Sequence, residues 1–146
     1  MRRLLMLNGP NLNRLGKREP SIYGAETLED IVADLKELAH SYGFQLDAYQ
    51  SNHEGDLIDQ LQEADEKYQG IVFNPGAYTH TSIAIRDAIS SISVPVVEVH
   101  ISNVHQREEF RHTSMLAPVC RGQVVGLGTM GYRLAALAFL EETKKG

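Results

Sequence analysis

Glu98 and His100 stand two apart at the end of the run VPVVEVH. Alternate residues of an extended strand project from the same face, so this carboxylate can reach this imidazole and favour its protonated form. The pair is either a proton donor or a structural histidine satisfied by a neighbouring acid. Ile101 and Ser102 follow, and their backbone N–H groups can meet an anion if the chain turns there. A second pairing lies in LGKREPSIYG, where Arg18 precedes Tyr23 by five residues between two glycines. A tyrosine hydroxyl with a pKa of about 10 is a poor base at neutral pH, and a nearby guanidinium favours its anionic form. Tyr23 is therefore either an activated base or a packing or lid residue of a Gly-flanked loop. His80 and Asp87 are seven apart, two turns of one helix if a single helix spans them, and read as a shared polar face or as solvated side chains. Arg111 in REEFRH is either a surface ion-pair partner or a substrate clamp, and Asn74 before Pro75 is either a turn initiator or a ligand donor.

These groups need a frame that gathers them. Short apolar runs ending in Gly, Asn or Ser alternate with segments of helical period, the signature of repeated βα units on a parallel sheet. The expected strands are RRLLMLN, FQLDAYQ, GIVFN, VPVVEVH and GQVVGLG. Leu28, Ile31, Val32, Leu35, Leu38 and Ala39 form one core-facing helical stripe, and Leu57, Ile58, Leu61 and Ala64 another. Thr27 is the expected N-cap of the first, Thr79 or Thr81 caps a helix running to about Ser91, and a last helix covers about Tyr132 to Lys144. The outline is a flavodoxin-like three-layer α/β sandwich with a five-stranded parallel sheet, in one domain over residues 1–146. Open sheets of this kind bind ligands beyond the carboxyl ends of their strands. Asn8, Asn11, Asn74, His80, Glu98, His100, Ile101 and Ser102 all follow or end a strand there.

Composition narrows the function classes. The chain has 146 residues, 42% hydrophobic and 23% charged, with a net charge of −5. That mix is globular, and without a run of basic residues neither nucleic acid nor an anionic membrane is an expected partner. The apolar run after Arg2 and Arg3 is too short for a signal peptide, which leaves a cytoplasmic location as the expectation. Cys120 is alone, so no internal disulfide is possible.

Two motifs mislead. GLGTMG, Gly126 to Gly131, matches a dinucleotide fingerprint, but that fold needs a further strand and an acidic residue about 20 positions on. Only 15 residues follow Gly131, so a tight strand-to-helix turn is the better reading. Glu98, His100, His105, Glu108, Glu109 and His112 could be drawn as a metal site, but Arg107 and Arg111 sit among them and the spacing is not that of common zinc sites. No metal is expected. A binding module without catalysis is the remaining alternative, yet LNGPNLN after the first strand lacks the acidic residues of a receiver-type module.

Taken together, LNGPNLN (7–13), REPSIYG (18–24), NPGAYTHTSIAIRDAI (74–89), EVHISN (98–103) and REEFRHTS (107–114) closely resemble the type II 3-dehydroquinate dehydratases over nearly the whole chain. Arg14 replaces the family's usual second leucine in that loop. The resemblance implies dehydration of 3-dehydroquinate to 3-dehydroshikimate by anti elimination through an enolate, with no cofactor. It implies Tyr23 as base, Arg18 as the group keeping it ionised, Asn11 as holder of a water over the enolate oxygen, and His100 with Glu98 as acid. It places the substrate carboxylate on Asn74 and the backbone of Ile101 and Ser102. His80, Asp87 and Arg111 then hold ring hydroxyls, Asp87 reaching in from a neighbouring subunit of a homododecamer built from trimers.

Overall fold

The computed structural model describes residues 2–17 and 19–145, apart from the side chains of Pro20, Tyr23 and residues 143–145. Its elements run β1 (Arg2–Asn8), α1 (Pro20–Tyr23), α2 (Leu28–Ser41), β2 (Phe44–Gln50), α3 (Glu54–Ala64), β3 (Gly70–Asn74), α4 (Ile83–Ser91), β4 (Val96–His100), β5 (Gly122–Val125) and α5 (Met130–Lys145). All strand pairs are parallel, in the order β2-β1-β3-β4-β5. The order reverses between β1 and β3, which opens a crevice at their carboxyl ends.

Side-chain alternation divides the core between the two faces. Leu4, Met6, Val72, Val97 and Val99 pack with Ile31 and Leu35 of α2 and Tyr132, Ala135 and Phe139 of α5. Leu5, Leu7, Ile71, Phe73 and Val96 pack on the opposite side with Leu57 and Leu61 of α3 and Ile85 and Ile89 of α4. The same alternation puts Asn8 and Asn74 on the α2/α5 face. Glu98 and His100 fall on the α3/α4 face.

Local signals account for most boundaries. Thr27 caps α2 in a capping box with Asp30, and Gly43 follows its last turn at φ +77°. Strand β4 starts at Val96 because Pro95 cannot donate to the ladder, and β5 stops at Val125 because Gly126 turns the chain at φ +83°. The cap of α4 is Ser82, whose hydroxyl accepts the Ile85 N–H at 2.9 Å, rather than Thr79 or Thr81. Residues 76–80 form a separate 3-10 turn, so His80 and Asp87 do not share one helix. The last helix begins at Met130, two residues before the expected start.

Gly9 sits where the ends of β1 and β3 close on each other. Its N–H donates to the Asn74 carbonyl at 2.8 Å, and an added Cβ would lie 2.5 Å from the Pro75 oxygen. Both neighbours are backbone and cannot rotate away. Gly9→Ala is therefore expected to destabilise the fold by about 1–3 kcal/mol, read as a lower urea midpoint with unchanged slope.

Candidate active site

The switch-point crevice holds a cavity of about 190 Å³. Asn11, Asn74, His80, His100, Arg107 and Arg111 line it, with Ile101 and Ser102 completing the wall at the end of β4. Seven of the residues singled out in the sequence thus meet around one space. Glu98 lies behind His100, fully buried. Asp87 is exposed on α4 and is not part of the lining. Arg18 and the side chain of Tyr23 lie outside the described residues. The backbone of Tyr23 ends α1, in the loop between Gly16 and Ala25. That loop is narrow at its base: Gly16, at φ +87°, would bring an added Cβ within 3.0 Å of the Ala25 oxygen. Leu12 and Leu15, both buried, anchor its entry in the α2/α5 core.

The acid pair forms as strand alternation dictates. His100 Nε2 and Glu98 Oε2 are 2.5 Å apart, and Glu98 is also held by three side chains that the sequence did not assign to the site. Thr79 donates its hydroxyl to Oε2, Ser114 Oγ lies 3.0 Å from both carboxylate oxygens, and Gln123 Nε2 donates to Oε1 at 3.1 Å. Ser114 Oγ accepts the N–H groups of Leu116 and Ala117, which leaves its own proton for the carboxylate. Gln123 reaches Glu98 because the two are register partners on β5 and β4. Burial pushes the Glu98 carboxyl pKa up, but the bonds from His100, Thr79 and Ser114 and the attraction of His100 outweigh it, leaving it below the ordinary 4.5.

The sign of that shift sets a pH dependence. A carboxyl whose pKa is lower folded than unfolded stabilises the protein above its unfolded value and loses that contribution as pH falls through its folded value. The stability difference between wild type and Glu98→Gln is expected to hold above pH 4.5 and shrink below it, read from urea midpoints between pH 7 and 3. A difference independent of pH would contradict an ionised Glu98.

His80 stacks beside His100, ring centroids 6.4 Å apart, and its Nδ1 lies 2.9 Å from the Thr113 carbonyl. Burial lowers its pKa, and the nearby charges of His100 and Arg111 lower it further against the opposing carbonyl bond. A neutral His80 suits hydrogen bonding to a hydroxyl. Arg111 donates to Glu108 Oε1 at 3.0 Å, and Arg107 donates to Ser102 Oγ at 3.3 Å. In the sequence, Arg107 figured only as an obstacle to a metal; its place on the cavity wall comes from the turn over Val104–Gln106. Asn11 adopts φ +70°, and its N–H donates to Asn52 Oδ1 at 2.9 Å. Among the described residues, no three His, Cys, Asp or Glu side chains are grouped to hold a metal ion; the His105 and His112 rings meet at a tilt, 5.9 Å apart, and His112 Nε2 lies 3.1 Å from the Arg107 carbonyl.

Residues 2–140 match the family model of dehydroquinase class II. The chain belongs to the class II dehydroquinase family. It is 65% identical over 142 residues to the 3-dehydroquinate dehydratase of Bacillus pumilus, 97% of each chain. Its fold superimposes on the type II dehydroquinase of Butyrivibrio crossotus with a TM-score of 0.91 at 53% identity, covering 96% of this chain and 97% of that one. For the type II dehydroquinase of Propionibacterium acnes the TM-score is 0.93 at 40% identity, covering 97% of each. The five-stranded parallel sheet and its flanking helices are thus those of the class II dehydroquinases. The dinucleotide reading of GLGTMG has no support in this family: Gly126 and Gly128 take φ +83° and +65° in the turn between β5 and α5.

Proposed function

We propose that this class II dehydroquinase, a hydro-lyase of the shikimate pathway, dehydrates 3-dehydroquinate to 3-dehydroshikimate by anti elimination, as one catalytic domain over residues 1–146. Tyr23, kept ionised by Arg18, removes the proton from the carbon between the ketone and the tertiary hydroxyl. The C–H electron pair moves into the ketone to form an enolate, whose oxygen is met by a water held on Asn11. The enolate collapses, the C–O bond of the tertiary hydroxyl breaks, and His100 gives that oxygen a proton so that it departs as water. With Nε2 turned to Glu98, Nδ1 is the nitrogen free to act toward the cavity.

The observation that carries this reading is the His100–Glu98 pair opening onto a cavity walled by Asn74, Arg107 and Arg111. Asn74 and the backbone N–H groups of Ile101 and Ser102 take the substrate carboxylate. Neither N–H is a donor in the loop hydrogen bonds of the described residues. Arg107 lies close enough to Ser102 to add charge to the same corner. His80 and Arg111 hold ring hydroxyls. The distance of Asp87 from the cavity fits a role across a subunit boundary, in a homododecamer of trimers located in the cytoplasm. Exposed Ile83 and Phe110 offer apolar surface for such contacts. Among the described residues, no helix is long and apolar enough to cross a membrane.

Enone absorbance should appear when the purified protein meets 3-dehydroquinate, and its absence would overturn the proposal. Borohydride added with substrate should leave activity intact. Inactivation would instead implicate a Schiff base, with Lys17, in the loop, as the candidate residue.

A further inference from the structure

The segment GLGTMGY, Gly126 to Tyr132, has no part in the proton transfers above, yet it grips the carboxylate corner from behind. The Gly126 N–H donates to the His100 carbonyl at 3.1 Å, and the Gly128 N–H to the Ile101 carbonyl at 3.0 Å. Gly126 packs so tightly that an added Cβ would lie 2.9 Å from Asn103 Cβ. The end of β4 is thereby held at its carbonyls, while Ile101 and Ser102 line the cavity.

The first turn of α5 then delivers Tyr132, the largest fully buried side chain among the described residues. Its hydroxyl donates to Asn8 Oδ1 at 2.7 Å and accepts from Asn74 Nδ2 at 2.9 Å. Asn74 Oδ1 accepts the Gly76 N–H at 3.1 Å. These bonds determine which way round the Asn74 amide sits. Its oxygen is engaged by Gly76, one N–H of Nδ2 is engaged by Tyr132, and the second N–H remains for a ligand. Asn8 completes the polarity: by taking the hydroxyl proton, it leaves the Tyr132 oxygen as an acceptor toward Asn74. Asn8 is itself buried, and its own Nδ2 has no partner among the described residues. An amide with an unmade hydrogen bond is a poor choice for packing alone.

We infer that Tyr132 is a positioning residue for substrate binding, locking Asn74 with its donor side toward the cavity and so favouring a carboxylate-bearing ligand. This rests on the proposed role of Asn74 in the carboxylate site. Tyr132 touches no ligand and acts only through Asn74. The carboxylate keeps its charge throughout the elimination, so its contact with Asn74 is made in ground and transition states alike and its loss appears in KM rather than kcat.

The test is a double-mutant cycle on the purified full-length enzyme with 3-dehydroquinate. Tyr132→Phe is expected to raise KM about tenfold or more while kcat stays within about threefold. On an Asn74→Ala background, the same change should alter KM by less than about twofold, because the group it orients is gone. A folded Tyr132→Phe enzyme with unchanged KM, or an equal KM increase on both backgrounds, would overturn the inference. Asn8→Leu removes the acceptor of the hydroxyl proton without altering Tyr132. It should raise KM in the same direction, and an unchanged KM would likewise break the relay. If Asn74→Ala alone left KM unchanged, the carboxylate reading of Asn74 would fall first, a result separate from failure of the Tyr132 arm.

Discussion

Tyr23→Phe is expected to lower kcat by at least about 10²-fold, and by up to about 10⁴-fold, with KM little changed. Phenylalanine keeps the ring in the loop but cannot accept the proton, so the loss falls on the transition state rather than on binding. Arg18→Ala should lower kcat at neutral pH for a different reason. On the proposed mechanism the guanidinium favours the phenolate, so its removal should lower the ionised fraction of the base near pH 7. The two variants therefore separate at high pH. Arg18→Ala should regain activity as pH rises toward the ordinary tyrosine value of about 10, whereas Tyr23→Phe should not. Near-normal kcat at neutral pH in either variant would remove Tyr23 as an Arg18-activated base.

His100→Ala is expected to cost about 10²–10⁴-fold in kcat, because the hydroxyl must then leave without a positioned acid. Glu98→Gln should also lower kcat, through a group that never meets the substrate. An amide can still accept from one neighbour, but it carries no charge to favour the imidazolium. Glu98 is fully buried beneath His100 and is held by Thr79, Ser114 and Gln123 from three other parts of the chain. A rigid carboxylate fixes the ring it bonds, in position as well as in charge. Steady-state kinetics of the two variants should give losses in kcat, with His100→Ala the more severe. Full activity in Glu98→Gln would mean that the pair is structural.

The parts of this architecture legible in the sequence are those governed by local chemistry. The first and third strands end where Asn8 and Asn74 break the apolar run, the second starts just after Gly43, and the expected ranges of all three match the observed ones. The pairing of Glu98 with His100 was readable because period-two alternation depends on nothing beyond the strand itself. What escaped depends on tertiary placement. Thr79 looks like a helix cap until Glu98 is seen to engage its hydroxyl, which leaves Ser82 to cap α4. Gln123 meets Glu98 only through the β4–β5 register, which no local pattern specifies. Tyr132 is hidden in an ordinary helical stripe, and only the adjacency of β1 and β3 brings Asn8 and Asn74 together beneath it. Asp87 is the converse case: its spacing from His80 suggested one shared helix, but the helical run is interrupted between the 3-10 turn and α4, and Asp87 is not among the residues lining the cavity.

On the proposed mechanism, a base on the loop and an acid on the β4 end work from opposite faces of the ring. The direct measurement uses 3-dehydroquinate carrying one deuterium on the carbon between the ketone and the tertiary hydroxyl, either trans or cis to that hydroxyl, with mass analysis of the enone at early conversion. Deuterium trans to the hydroxyl should be lost to solvent and deuterium cis to it retained. Loss of the cis deuterium with retention of the trans one would place base and acid on the same face and contradict that mechanism.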